Sequence, residues 1–181
     1  MKKKTKDYDN VFKTLKLKHS RLFIPIINEI FGKQYPMDAP VEVLTSEGFL
    51  EDIESADGSG KIAEKNSDFL IKLGDDRYLL EFQTYEDKSI AIRIAEYAFI
   101  ASRQYAEWNI RQAWFQMPLV GLIYLRGSNR ICSQTRITFR FPDGEIDYIC
   151  TNYVLRDLSK EDIIAKKLYP FVPFYIARYE N

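Results

Sequence analysis

Three polar side chains interrupt two apolar stretches of the sequence, "SDFLIKL" and "YLLEFQ". They are the carboxylates of Asp68 and Glu81 and the amide of Gln83. Glu81 and Gln83 are two residues apart, so they point to the same face of a strand. Mg²⁺ takes oxygen ligands, typically one or two carboxylates with a backbone carbonyl and water. A divalent-cation site built from Asp68, Glu81 and the backbone carbonyl of Phe82 is therefore the sharpest hypothesis for this stretch.

The loop between the two strands decides whether Asp68 joins the other two side chains. A loop of two or four residues around Gly74 places Asp68 opposite Glu81 or Gln83, whereas a three-residue loop sends it to the other face. Gly-Asp and Asp-Asp both suit two-residue turns, which predicts the even loop. Two facing carboxylates repel each other and need a compensating cation. A metal ion is one answer, and a solvated face with Lys72 as counter-charge is the other.

A helical pattern follows this hairpin. In "SIAIRIAEYAFIASRQYAEWN", apolar residues recur at positions 90, 94, 98, 101, 105 and 108, which predicts a helix with one buried face. Arg93 and Tyr97 are four residues apart and share a helix face. If that face turns toward the hairpin, Arg93 is placed to contact a phosphate. An exposed Arg packed on Tyr is the alternative.

Other segments give signals for helices and loops. Asp9 is a candidate N-cap of a first helix, and Ser20 and Gly32 are candidate limits of a second one, "RLFIPIINEIF". Residues 38–60 are acidic and end in "ADGSG", which predicts a loop insertion. A short capped helix, "LSKEDIIAKKL", lies near the end of the chain.

The strand signals complete the expected fold. "PLVGLIYLR" is a continuous apolar run, typical of a strand buried on both faces, and "TRITFRFPDGEIDYICTNYVL" alternates around a turn. We expect one α/β domain over residues 1–181, with a central mixed sheet flanked by helices in the order α-β-β-β-α-β. An extra hairpin and a short helix follow toward the C-terminus. The last aromatic run, "YPFVPFY", either packs back on the domain or marks a chain that continues.

Charge is balanced over the chain, with 26 basic and 26 acidic residues, but it is segregated along it. Arg136 and Arg140 alternate with apolar residues, so one face of their strand is basic. Together with Lys13 in the basic N-terminal segment, they are candidate contacts to a nucleic-acid backbone, with solvated faces as the alternative. Because the net charge is zero, affinity for a polyanion must come from such local patches.

Composition excludes several classes of function and site. His19 is the only histidine and follows a run of lysines, which leaves no basis for a histidine triad or a histidine-bound metal. Cys132 and Cys150 lack the spacing of a zinc site or a disulfide framework. No apolar run approaches the roughly 18 residues that span a bilayer, and the N-terminus lacks a secretory signal. We therefore expect a cytoplasmic protein with no membrane partner.

These residues together resemble the PD-(D/E)XK nuclease superfamily, and more narrowly its recombination-promoting, Rpn-type group, which includes transposase-like proteins. The resemblance rests on short pieces in a fixed order, which are "DNVFK", "SDFLIKL", "YLLEFQ", "RIAEY", "PLVGLIYL" and "YPFVPFY". It covers most of the chain, from Asp9 to Tyr175. The order and spacing of the pieces carry the likeness, since each one alone is short.

The resemblance implies a Mg²⁺- or Mn²⁺-dependent DNA endonuclease associated with recombination or transposition. The implied catalytic residues are Asp68, Glu81, Gln83, Arg93 and Tyr97. Asp68, Glu81 and the Phe82 carbonyl would hold the metal ion, and Asp9 is a further candidate ligand because the family's first helix brings an acid near the metal. The commoner pattern has Lys where this chain has Gln83, which can orient water but carries no charge.

The resemblance also fixes which partners we expect. DNA is the implied partner, and a homodimer stays open. A scaffold that lacks the chemistry and serves nucleic-acid or protein binding is the main alternative. A small-molecule phosphohydrolase that uses the same carboxylates is a third.

Overall fold

The computed structural model describes residues 15, 18–44, 69–83, 86–125 and 131–177. The described α-helices are α1 (Ile24–Phe31), α2 (Ile90–Arg103), α3 (Lys160–Ala165) and α4 (Val172–Ala177). Short 3-10 helices cover Ser20–Phe23, Leu155–Asp157 and Tyr169–Phe171. The described strands are β1 (Val41–Leu44), β2 (Phe69–Leu73), β3 (Asp76–Gln83), β4 (Glu107–Trp108), β5 (Ala113–Trp114), β6 (Leu119–Tyr124), β7 (Gln134–Phe141) and β8 (Gly144–Val154).

Six strands form one mixed sheet in the order β1-β2-β3-β6-β8-β7, and β4 and β5 form a separate two-stranded ribbon. β1, β2 and β3 are antiparallel, β3, β6 and β8 run parallel to one another, and β7 closes the edge antiparallel to β8. Helices pack on both faces. The α/β class with a central mixed sheet flanked by helices is confirmed, and the expected extra hairpin and short helix are β7–β8 and α3.

The β2–β3 hairpin has the two-residue turn that the Gly-Asp pair predicts. The pairing runs from Phe69 opposite Leu80 to Leu73 opposite Asp76. Gly74, the first turn residue, has φ +64°, and the second turn residue has no positive φ, as in a type II′ turn. A side chain at Gly74 would also meet the ring of Tyr35. Two features therefore require glycine at position 74: the positive φ of its backbone and the lack of space for a side chain beside Tyr35.

Each face of the sheet has its own apolar core. Under α2, Ile90, Ile94 and Ala98 pack against residues of β2, β3 and β6 such as Leu79 and Leu122. On the other face, α1 and the C-terminal helices enclose a second core. The aromatic run "YPFVPFY" belongs to this second core, because its members Phe171 and Phe174 are buried in it. The run therefore packs on the domain.

Two helix boundaries differ from the sequence expectations. Ser20 begins a 3-10 helix and caps no α-helix, since α1 begins only at Ile24. This start places Pro25 in the first turn of α1, where the missing N–H of proline costs no hydrogen bond. The apolar stripe of α2 does not extend to Trp108, since the helix ends at Arg103 and Trp108 lies in β4. Gly32 ends α1 in a left-handed conformation, as expected.

The acidic insertion predicted for residues 38–60 is only partly a loop. Val41–Leu44 forms the edge strand β1, because its apolar side chains pack against the sheet while Glu42 stays exposed. The rest of that segment, residues 45–60, lies outside the described residues, as do Asp9 and Lys13. None of the helices in the described ranges is long and apolar enough to cross a membrane.

Candidate functional site

Glu81 and Gln83 lie near the carboxyl end of β3, the third strand of the sheet, on the face covered by α2. Their side chains are buried, with 5% and 8% of their surface exposed. They share this face with Leu79, which belongs to the core under α2. Lys72 stands opposite Arg77, toward the turn of the hairpin. Because the face is buried at Glu81, a solvated face with Lys72 as counter-charge does not describe the site.

Arg93 supplies the charge that faces Glu81. It lies in the first turns of α2, and the helix face that bears it turns toward the hairpin. Its Nη2 donates to Glu81 Oε1 at 3.0 Å, and its Nη1 donates to Asp87 Oδ2 at 3.0 Å. Gln83 Nε2 also donates to Glu81 Oε1, at 3.3 Å. One buried carboxylate oxygen thus accepts from both a guanidinium and an amide.

Asp87 is a carboxylate of this site that the sequence expectations missed. Its Oδ1 accepts from the backbone N–H of Ser89 at 2.9 Å and from the Ser89 hydroxyl at 2.8 Å. These two hydrogen bonds, and then the charge of Arg93, lower the pKa of the Asp87 carboxyl. The Asp-x-Ser spacing just before a helical stripe is the signal that would have found it.

Tyr97 lies one turn after Arg93 on α2. It is half-buried and packs against the core under that helix. Arg93 therefore forms the α2 side of the site, with Tyr97 one turn further along the same helix, while Glu81 and Gln83 form the sheet side.

The strands β6 and β8, which continue the parallel part of the sheet beyond β3, carry further polar groups on the same face. Tyr124 stands beside Gln83 across the β3–β6 pairing and is nearly buried. Burial raises the pKa of Tyr124, and a hydrogen bond with Thr135 partly opposes this. Asn152 of β8 accepts from the Thr135 hydroxyl at 3.0 Å and donates to the Cys132 carbonyl at 2.9 Å. Neither Tyr124 nor Asn152 was a candidate from the sequence, because only the parallel register places Tyr124 beside Gln83 and Asn152 beside Leu122, the β6 neighbour of Glu81.

The site offers two kinds of oxygen donor that hard cations bind, backbone carbonyls and a carboxylate. Gln83 O accepts from Leu125 N at 2.8 Å, so this carbonyl points toward β6. Successive carbonyls along a strand point to opposite neighbours, so the Phe82 carbonyl points toward β2, the strand that Asp68 precedes. Glu81 adds a buried carboxylate. In the described ranges, no group of three or more His, Cys, Asp or Glu residues could hold a metal ion, and Asp68 itself lies outside those ranges.

The arginines proposed to contact nucleic acid lie away from Glu81. Arg136 and Arg140 are largely exposed on the edge strand β7, and they pair with Asp147 at 3.3 Å and Glu145 at 2.9 Å. They alternate with Ile137, which packs toward the core under α2, so they lie on the opposite face of the sheet from Glu81. The structure therefore brings Arg93 to Glu81 and Gln83, but it does not bring Arg136 or Arg140 there.

The cross-strand acids also change the charge of that β7 face. The turn at Pro142 and Asp143 sets Arg140 opposite Glu145, so the basic face seen in one strand is a mixed face once β8 is beside it.

Comparison of the chain with protein-family models, with curated proteins and with solved structures found no match.

Proposed function

We propose that the protein is a cytoplasmic, Mg²⁺-dependent DNA endonuclease with a PD-(D/E)XK-type core. The observation that carries the proposal is the buried carboxylate of Glu81, set beside Gln83 within the sheet and held by Arg93. Carboxylates are almost never buried unless they are paired, and burying an ion pair costs several kcal/mol per ion in desolvation. An apolar residue would fill this position without that cost, so the polar group is better explained by chemistry than by stability.

The position of the group within the sheet supports the same proposal. Ligands of open α/β sheets bind outside the carboxyl ends of parallel strands, and Glu81 and Gln83 approach that end of β3 beside β6. The helix α1, the strands β1, β2 and β3, the helix α2 and the strand β6 follow one another along the chain, with the β4–β5 ribbon inserted between α2 and β6.

Asp68, Glu81 and the Phe82 carbonyl would hold the metal ion, with Asp9 as a further ligand. Asp68 is the residue before Phe69 and Glu81 is the residue after Leu80, and Phe69 and Leu80 pair across the hairpin. When bound, the ion lowers the pKa of a coordinated water and offsets charge on the phosphate.

The remaining roles fall to side chains of this chain. Arg93 presents a planar fork of N–H donors that matches phosphate geometry, and it already orients the Glu81 carboxylate. Gln83 donates through Nε2 to Glu81, and its carbonyl oxygen is the acceptor for a hydrogen of the attacking water. Tyr97 lies one turn after Arg93 and packs against the core under α2, which holds this part of the helix in place. Gln83 carries no positive charge. Among the described residues of the site, Arg93 is therefore the cation that would face the reacting phosphate.

The test is nicking of supercoiled plasmid DNA with Mg²⁺ or Mn²⁺. Glu81→Gln and Asp68→Asn should each lower the rate by about 100-fold or more, because each removes a charge that the transition state needs. Glu145→Gln is the matched control, since it makes the same change at an exposed carboxylate of β8 and should cut like the parent. Parental cleavage by the Glu81 and Asp68 variants would refute the assignment.

One observation favours a second candidate, a nuclease-like scaffold used for binding without catalysis. Glu81 Oε1 already accepts from Arg93 and Gln83, so its charge is compensated within the protein. Titration calorimetry separates the two candidates. Saturable heat from Mn²⁺ that disappears in Glu81→Gln supports the nuclease, and the absence of metal binding supports the scaffold.

A further inference from the structure

The β4–β5 ribbon exposes both tryptophans of the chain. Trp108 and Trp114 have 75% and 51% of their surface exposed, and Ile110, at the turn between the strands, is fully exposed. Tryptophan is highly buried on average in folded proteins, so this exposure is unusual. Trp108 and Ile110 add little to the described cores, and their exposure points to an interaction surface.

The register of the ribbon places one tryptophan on each side. Trp108 pairs with Ala113, and Glu107 pairs with Trp114. Neighbouring residues of a strand point to opposite faces, so Trp108 projects from one face and Trp114 from the other. The turn is fixed because the Asn109 side chain accepts from two backbone N–H groups, those of residues 111 and 112. The result is a narrow ribbon with an apolar tip and an aromatic ring on either face.

The base of the ribbon is anchored to the domain. The Arg77 guanidinium lies 4.2 Å from the centre of the Tyr105 ring, and its Nη1 donates to Gln116 Oε1 at 2.8 Å. On the other side, Phe99 of α2 stacks on Phe115 with their ring centres 5.4 Å apart. Contacts on both sides hold the segments that enter and leave the ribbon. The tip is thus presented on a fixed support.

We propose that the ribbon binds unpaired bases of a nucleic-acid strand, which stack on Trp108 and Trp114. The inference rests on the proposed function for its choice of DNA as the ligand. Rings on both faces suit bases on either side of the ribbon, whereas a symmetric dimer buries a single self-complementary patch.

The composition around the rings matches such a strand. Residues 103–116 contain two arginines, four amide side chains and a single acid, Glu107, in a chain whose charges balance overall. Arginines complement phosphates, and amides complement base edges.

The ribbon follows α2, whose first turns carry Arg93. Arg93, which contacts Glu81, is ten residues before the end of α2 at Arg103, a rise of about 15 Å along the helix axis. A strand that contacts both the ribbon and the proposed catalytic site must therefore cover at least this length.

Intrinsic fluorescence tests the proposal, because both tryptophans report on the ribbon alone. An oligothymidine of about 12 nucleotides, added to the full chain in EDTA at low salt, should quench this emission saturably. Trp108→Ala should weaken binding of the labelled oligonucleotide about 10-fold by anisotropy, and Trp108→Phe should recover most of that loss. Phe141→Ala, an exposed aromatic on the β7–β8 hairpin, is the matched control and should bind like the parent.

Either of two results with Trp108→Ala would overturn the inference. One is parental affinity of Trp108→Ala for the oligonucleotide, with its fold verified by circular dichroism. The other is a parent dimer in sedimentation that Trp108→Ala converts to monomer without any quenching by DNA, which assigns the ribbon to a second copy. Saturable quenching with no cleavage under any metal condition supports binding at the ribbon and refutes only the nuclease assignment. Cleavage that depends on Glu81 but occurs without any quenching supports the nuclease and refutes binding at the ribbon.

Discussion

Removal of the Arg93 guanidinium gives the sharpest test of the buried charge at Glu81. In Arg93→Met the alkyl stem still packs on α2, but Glu81 loses its ion-pair partner at 3.0 Å. Breaking a buried pair in this way costs about 3–5 kcal/mol. The Arg93 side chain is 31% exposed and that of Glu81 only 6%, so water screens one end of the pair. We therefore expect a loss near the lower limit, about 3 kcal/mol in the free energy of unfolding.

The assay is urea unfolding followed by circular dichroism, with thermal melts alongside. A loss of this size lowers Tm by about 6–12 °C in a chain of this length. Arg140→Met is the matched control, because it breaks an exposed pair with Glu145 and should cost less than about 1 kcal/mol. Adding Glu81→Gln to Arg93→Met should restore most of the loss, since the buried negative charge is then gone.

Metal binding gives the same variant a second readout. If Glu81 is a ligand, Mg²⁺ takes the place of the missing guanidinium, and Arg93→Met should gain more stability from Mg²⁺ than the parent does. Free Mg²⁺ at about 100 times its Kd stabilises by about 2.7 kcal/mol. The reasoning is refuted if Arg93→Met loses no more than Arg140→Met, or if Glu81→Gln fails to restore the loss.

Two further predictions concern groups outside the site. Lys33 donates to Asp76 at 2.9 Å and lowers the pKa of that carboxyl, so the pair contributes stability above the ordinary Asp pKa of about 4, which is lost as pH falls through the lowered value. Asp76→Asn should flatten the pH dependence of urea unfolding in that acid range, and an unchanged slope would contradict this assignment. Burial raises the pKa of the Cys150 thiol to about 12, whereas Cys132 is exposed. A thiol reagent at pH 8 should therefore modify Cys132 in the native protein and Cys150 only after unfolding, and mass spectrometry of the labelled peptides decides it.

Local patterns were enough to predict much of the fold. The Gly-Asp pair predicted the two-residue turn, and the unbroken apolar run predicted the central strand β6, because turn chemistry and burial on both faces act over a few residues. The same patterns predicted that Glu81 and Gln83 share a face. They failed at Trp108, where apolar spacing continued past the end of α2 into an exposed ribbon.

The sequence by itself determined which side chains share a face of each strand and helix, since the backbone repeats every two residues in one and every 3.6 in the other. Only the tertiary structure decided which faces meet. The packing of α2 on the sheet brings Arg93 to Glu81 and Asp87, and the pairing of β7 with β8 turns Arg136 and Arg140 to the opposite side beside acids. Contacts of this kind join residues from separate elements, and they depend on how whole layers pack and pair, which no local period encodes.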